Sequence, residues 1–222
     1  MPSKQEKFAE FETFKNCFTF FFDHIEQGFE GKGKWREDFF HNDHPLVLEL
    51  GCGKGEYTIG LATKHPEKNY IGVDIKGNRI WTGAKQATDE KMNNVAFLRT
   101  RIDFIDHCFA PGEVDEIWIT FPDPQPQSTR RRKRLTHMLF INRYRHFLKP
   151  GGLVHLKTDS TSLYEYTLEV IAENKLELIW ETNDLYKNCP PDRQELVNIK
   201  TYYEKLFTDK GEDIKYIQFR IN

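Results

Sequence analysis

The sequence is poor in cysteine. It has four, Cys17, Cys52, Cys108 and Cys189, and no C-x-x-C pair, which argues against a zinc ribbon and a disulfide-stapled scaffold. No apolar run approaches the ~20 residues of a membrane-spanning helix. The opening Met1-Pro2-Ser3-Lys4 leads into no signal-peptide hydrophobic region, so a cytoplasmic protein without a membrane partner is the expectation. No Ser-His-Asp or Cys-His arrangement suggests an activated nucleophile. His41 and His44 lack further ligands at suitable spacing, so no metal is expected. An excess of charge is missing too: 32 Lys and Arg stand against 34 Asp and Glu. A net charge of −2 looks wrong for a nucleic-acid binder, but an average conceals clusters, so charge has to be read locally.

At roughly 100–200 residues per domain, 222 residues make one large domain or one domain with an appendage. In the first 30 residues Phe8, Phe11, Phe14, Phe18, Phe21 or Phe22, Ile25 and Phe29 recur at three- and four-residue steps. That period predicts an amphipathic helix. Together with a connection from Trp35 to His44 it forms an N-terminal segment, residues 1–44, packed on a main domain of residues 45–222. From residue 46 onward short β-rich runs alternate with helical patterns: strands at 46–50, 69–74, 95–99, 116–120, 153–157 and 176–181, a helix that follows a Gly-rich turn and runs to about His65, and helices at 78–91, 135–148 and 162–174. The last run, 214–221, alternates apolar with polar residues and suits a more exposed antiparallel edge. The pattern implies an α/β fold, doubly wound, with a mostly parallel Rossmann-like sheet of about seven strands and an antiparallel edge strand. Ligands of such sheets sit at the carboxyl ends of the strands.

The first strand runs into Glu49-Leu50-Gly51-Cys52-Gly53-Lys54-Gly55. Its G-x-G-x-G spacing is neither the dinucleotide fingerprint nor a P-loop. Glu49 would repel a pyrophosphate but suits a ligand with a cationic amino-acid portion. Asp74 ends the second strand, where a carboxylate can accept both hydroxyls of a ribose. Together these features favour S-adenosylmethionine over a dinucleotide, with Cys52 read as a small packing residue.

Further motifs follow in order: Phe121-Pro122-Asp123-Pro124, a basic run to Leu135, Lys149-Pro150-Gly151-Gly152, Lys157-Thr158-Asp159 and Thr201-Tyr202-Tyr203-Glu204. On these residues, from about Trp35 to the C-terminus, the sequence resembles the bacterial tRNA (guanine-N7)-methyltransferases, class I S-adenosylmethionine-dependent enzymes that modify the guanine at position 46 of the tRNA variable loop. The resemblance implies S-adenosylmethionine as cofactor and tRNA as partner, in a monomer or homodimer. It places Glu49, Gly51, Gly53, Asp74 and Asp123 on the cofactor, with Asp123 also catalytic. It places Gln127, Arg130, Asp159, Thr201, Tyr202, Tyr203 and Glu204 on the substrate. Three positions depart from the family: Gln125 replaces a Trp, Gln127 replaces a Lys, and an acidic cofactor contact falls on Arg101. That contact is then made through backbone, or Asp103 serves the adenine instead.

The residues also permit a reading of their own. Guanine N7 carries an unprotonated lone pair, so no general base is needed, and alignment with desolvation supplies most of the rate. Asp123, between two prolines, has a stiff backbone and an outward carboxylate. Arg130-Arg131-Arg132-Lys133-Arg134 places five positive charges beside it, suited to phosphates. Tyr202 and Tyr203 can stack on a splayed base or fill a core. Tyr186 to Pro191 reads as a mobile loop over the substrate side. Two alternatives stay open: methylation of an exocyclic amine in a nucleic acid, and a noncatalytic RNA-binding module.

Overall fold

A computed structural model describes residues 2–221. Eight strands form one sheet in the order β1-β4-β3-β2-β5-β6-β8-β7. They are β1 (Cys17–Thr19), β2 (Leu46–Leu50), β3 (Asn69–Asp74), β4 (Val95–Arg99), β5 (Val114–Thr120), β6 (Leu148–Thr158), β7 (Glu177–Thr182) and β8 (Lys215–Arg220). The first six run parallel across the sheet, and β8 pairs antiparallel with both β6 and β7. Helices α2 (Glu56–Lys64), α3 (Gly77–Asp89), α4 (Met138–Tyr144) and α5 (Thr161–Glu173) form most of the crossovers. The strand order reverses between β2 and β5, and a crevice is expected outside their carboxyl ends. β2 is buried along its whole length, as its run of apolar residues, broken only by Glu49, requires when both faces are covered.

The N-terminal segment differs from a single long helix. α1 spans Lys4–Phe11, opened by a reciprocal cap between Ser3 and Glu6, and the chain then turns into β1, an eighth strand paired with β4. The phenylalanines explain the break. Phe11 is buried with Tyr57 and Ile80 on one face of the sheet, whereas Phe20 is buried with Trp35 and Phe109 on the other. One straight helix cannot reach both faces, whereas a chain that crosses the sheet edge can, and in doing so it satisfies the open edge of β4. Residues 35–40, expected as plain connection, form a π-turn, with Trp35 buried and its indole N–H donating to Cys108 O at 3.1 Å.

At the other end of the sheet the last strand is antiparallel, as expected, but it is inserted between β6 and β7 and is almost wholly buried. Its polar positions are taken up inside: Gln218 accepts from Arg193 at 2.8 Å, and Tyr216 lies 2.6 Å from His155 Nδ1.

Candidate active site

The turn after β2 is built from glycines in the left-handed region, Gly51, Gly53 and Gly55. Gly55 has no alternative, because a Cβ there would lie 2.6 Å from the Phe97 ring. At Gly51 and Gly53 a Cβ would meet nothing within 4 Å, so open space lies over the turn. Asp74 closes this cradle. Its Oδ2 accepts the Gly53 N–H at 3.0 Å and its Oδ1 the Lys76 N–H at 2.9 Å, so the carboxylate is fixed in orientation by backbone. The next residue, Ile75, exposes 46% of its surface, an apolar side chain in the open beside a carboxylate. In the sequence a single Ile after a strand carries no signal, so only the fold reveals it.

Glu49 is buried behind the turn. Its Oε2 accepts from Thr58 N at 2.8 Å and from the Thr58 hydroxyl, and its Oε1 accepts from the Thr120 hydroxyl. It therefore ties the start of α2 and the end of β5 to β2. Burial pushes its carboxyl from the ordinary 4.5 up to about 7, with Asp74 adding to the rise and the threonine donors opposing it. Burial, with Glu49 and Asp74, also pushes the Cys52 thiol well up, which suits packing and not nucleophilic attack. Arg101 and Asp103 sit on the turn after β4 and pair with each other at 3.2 Å on the surface.

β5 ends in a rigid loop. Phe121 and Gln125, neither of them glycine, are both left-handed, with φ of 47° and 44°. Between them stands Asp123, exposed, with its Oδ1 accepting the Gln125 N–H at 3.0 Å. A 3-10 turn, Ser128–Lys133, follows directly and holds Arg130, Arg132 and Lys133 in solvent. Gln127 is the exposed residue before this turn and accepts the Arg130 N–H through its carbonyl at 2.9 Å. The basic run is not uniform. Arg131 lies over the Tyr166 ring and 3.7 Å from Glu169, and Arg134 is buried.

β6 ends at Lys157-Thr158-Asp159. Lys157 is fully buried and ion-paired with Glu204, 2.8 Å to Oε1 and 2.9 Å to Oε2, and it also donates to the carbonyls of Leu196 and Ile199. Burial draws the Lys157 ammonium below its usual range, and Glu204 opposes that shift. Asp159, half-buried, has its carboxyl raised by burial. The segment tied down by Lys157 comprises α6 (Leu185–Asn188), α7 (Glu195–Asn198) and α8 (Tyr202–Thr208).

Two expected substrate contacts are placed differently here. Glu204 has no exposed surface, and Tyr186 also donates to it at 2.8 Å. Thr201 is buried as the cap of α8, accepting the Glu204 N–H at 3.1 Å. Tyr202 and Tyr203 lie outside, 52% and 38% exposed, so of the two readings open for them the surface one holds. The Tyr202 N–H donates to Glu56 at 2.7 Å, and Lys54 lies over the Tyr202 ring. Tyr203 stacks on Phe207, which stacks on Phe121. α8 thus bridges the glycine turn of β2 and the loop after β5. Of the stretch read as a mobile loop, Tyr186 to Asn188 lie in the helical turn capped by Asp184, Cys189 and Pro190 are extended, and Pro191 opens a 3-10 turn. Lys157 is legible in the sequence as an oddity, a lysine ending an apolar strand. Its partner is not, because the two lie 47 residues apart.

A family model described as "Putative methyltransferase" matches residues 43–217. A protein of Bacteroides thetaiotaomicron named tRNA (guanine-N(7)-)-methyltransferase is 50% identical, over 99% of this chain and 86% of its own length. One of Christiangramia forsetii with the same name is 49% identical, over 99% of this chain and 98% of its own. Among solved structures, the 16S rRNA methyltransferase KamB superposes with a TM-score of 0.59 over 90% of this chain and 92% of its own, at 13% identity. At that identity the likeness is one of fold.

Proposed function

Since the chain belongs to the tRNA (guanine-N7)-methyltransferase family, a family of methyl-transferring enzymes, we propose that it moves a methyl group from S-adenosylmethionine to N7 of guanine 46 in the variable loop of tRNA. One observation carries the reading: an exposed Asp123 on a loop pinned by two left-handed residues, between an acidic glycine cradle on β2 and β3 and a basic 3-10 turn. The donor set fits the cofactor. Asp74, fixed by two backbone N–H groups, presents its remaining lone pairs to a ribose. The open space over Gly51 and Gly53 admits the amino-acid portion, and the buried Glu49 supplies negative charge beneath its ammonium. Ile75 offers an apolar face to the adenine, with Arg101 and Asp103 at its rim.

Bound there, S-adenosylmethionine supplies an electrophilic methyl on a sulfonium. Transfer forms one C–N bond, breaks one C–S bond and carries the positive charge from sulfur to the purine. No proton has to leave N7, so Asp123 acts by charge and orientation. It accepts from the Watson–Crick donors of the guanine and stabilises the positive charge nearby. Asp159 lies at the neighbouring strand end as a second acceptor. Tyr202 and Tyr203 offer stacking faces, while Thr201 and Glu204 serve by holding α8 in place. Arg130, with Gln127 beside it, faces the RNA backbone.

The test is to treat unmodified tRNA with enzyme and S-adenosylmethionine and map the product by mass spectrometry and borohydride–aniline cleavage. Chain scission at guanine 46 is expected. Methylation without scission would indicate an exocyclic amine, and scission at another guanine would overturn the choice of position. Absence of product and of cofactor binding by calorimetry would return the protein to a noncatalytic RNA-binding role.

A further inference from the structure

We propose that Arg134 is a positioning residue for Asp123 and not the fifth phosphate-binding cation of the basic run. The inference rests on the reading of Asp123 given above. Arg134 is 6% exposed, while its neighbours Arg130, Arg132 and Lys133 lie in solvent. Its Nε and Nη2 both donate to the carbonyl of Gln125, at 3.2 and 3.1 Å. The guanidinium carbon lies over the Tyr166 ring, 4.3 Å from its centre. That ring is itself fixed, because Tyr166 is buried on α5 and the adjacent Thr167 hydroxyl meets that of Thr136 at 2.8 Å.

Gln125 is the link. It is held in the left-handed region, which a side chain-bearing residue rarely adopts without support, and its N–H donates to Asp123 Oδ1. Pro122 and Pro124 have no N–H, so the loop can form few hydrogen bonds of its own. The Arg134 fork ties the downstream side of the loop to α5, and the Phe121 N–H ties the upstream side to Lys157 O at 2.8 Å. The chain of contacts runs from Tyr166 through Arg134 and Gln125 to the Asp123 carboxylate. A lysine cannot replace it, since an ammonium lacks the rigid planar fork that donates twice to one carbonyl. The charge run therefore has two functions: exposed cations for RNA and a buried one for the geometry of the loop.

The experiment compares wild type, Arg134→Gln, Arg134→Lys, Arg134→Ala, Asp123→Asn and the Arg134→Gln/Asp123→Asn double variant. The readouts are single-turnover methylation at saturating cofactor and tRNA, tRNA affinity at two salt concentrations, and thermal midpoint. Poorer alignment should slow Arg134→Gln by roughly ten- to a hundredfold at saturation. Its tRNA affinity and salt slope should stay within about twofold of wild type, since Arg134 touches no phosphate. Arg134→Lys should be slowed similarly despite keeping the charge. In the Asp123→Asn background the same change should add little, because both act on one carboxylate. Added guanidinium should partly restore an Arg134→Ala variant, which separates positioning from misfolding.

A wild-type rate for Arg134→Gln beside a slow Asp123→Asn would overturn the inference and leave the Asp123 reading intact. So would weaker tRNA binding with a flatter salt slope and an unchanged saturated rate, the signature of a phosphate-binding cation. An additive effect in the double variant would show a general structural role and also overturn it. A wild-type rate for Asp123→Asn would overturn the Asp123 reading, and this inference with it.

Discussion

Glu49 illustrates how one residue serves fold and site with opposite preferences. Its carboxyl titrates at about 7 in the folded chain and near 4.5 when unfolded, so folding takes up a proton between those values. The stability it contributes is fully present below pH 4.5 and is lost as pH rises through 7. Above that a buried charge remains, tolerated because three threonine donors face it. Glu49→Gln keeps the shape, and the Thr120 hydroxyl can turn to accept from the new amide. The variant should therefore gain thermal stability relative to wild type at pH 8 and gain less or nothing at pH 5. A cation bound beside Glu49 favours the ionised form, so cofactor binding at pH 6.5 should release part of a proton from wild type and none from Glu49→Gln. Calorimetry in two buffers of different ionisation enthalpy reads this directly. A binding heat that depends on the buffer no more in wild type than in Glu49→Gln would remove Glu49 from the ammonium site.

Among the elements, the placement of α8 depends on a buried ion pair. Lys157 and Glu204 are both without exposed surface, and each holds further partners. Removing one member leaves the other charge unpaired, which typically costs about 3–5 kcal/mol, while replacing both by apolar groups is often close to neutral. Glu204→Ala should thus lower the denaturation midpoint sharply and deprotect residues 195–208 in hydrogen exchange. The Lys157→Met/Glu204→Leu pair should recover most of that stability. If the double variant is as unstable as the single one, the segment is held by its carbonyl and aromatic contacts instead.

This pair also marks where legibility in the sequence ends. Leu46–Leu50, Asn69–Asp74 and Val95–Arg99 form strands within the limits their composition suggests, because a strand covered on both faces is apolar along most of its length. Asp74 and Asp123 stand at carboxyl ends of strands for the same reason, since topology follows from the alternation of elements. What stayed hidden depends on distant partners. The period of the N-terminal phenylalanines is that of a helix, yet the open edge of β4 draws part of the segment into β1. The alternation of β8 reads as a half-exposed edge, yet Arg193 and His155 meet its polar side inside the sheet. Arg134 has the same sequence surroundings as Arg132, and only the tertiary contact with Tyr166 distinguishes them.

Across the protein, a net charge of −2 and a proposed RNA substrate are reconciled by where the cations stand. Elsewhere many cations are neutralised locally, as Arg36 and Lys149 are on Asp115 and Lys68 is on Glu116. Beside the loop after β5, Arg130, Arg132 and Lys133 project into solvent from one 3-10 turn. Such a cluster focuses attraction for a polyanion on the edge where the chemistry lies, although the protein's net charge repels it weakly. Replacing these three residues by Gln, with Arg134 left in place, should raise the KM for tRNA and flatten its dependence on salt. Every phosphate that is no longer neutralised lowers the slope by roughly 0.7–0.9. Cofactor affinity should hold, since the cradle on β2 and β3 is untouched, and so should the methylated atom and the saturated rate. Filter binding at two salt concentrations checks the first part and single-turnover kinetics the second. A salt slope equal to that of wild type would mean that the turn faces solvent in the complex, and the RNA would then approach over α8, where Lys54, Tyr202 and Tyr203 form another exposed surface at this end of the sheet.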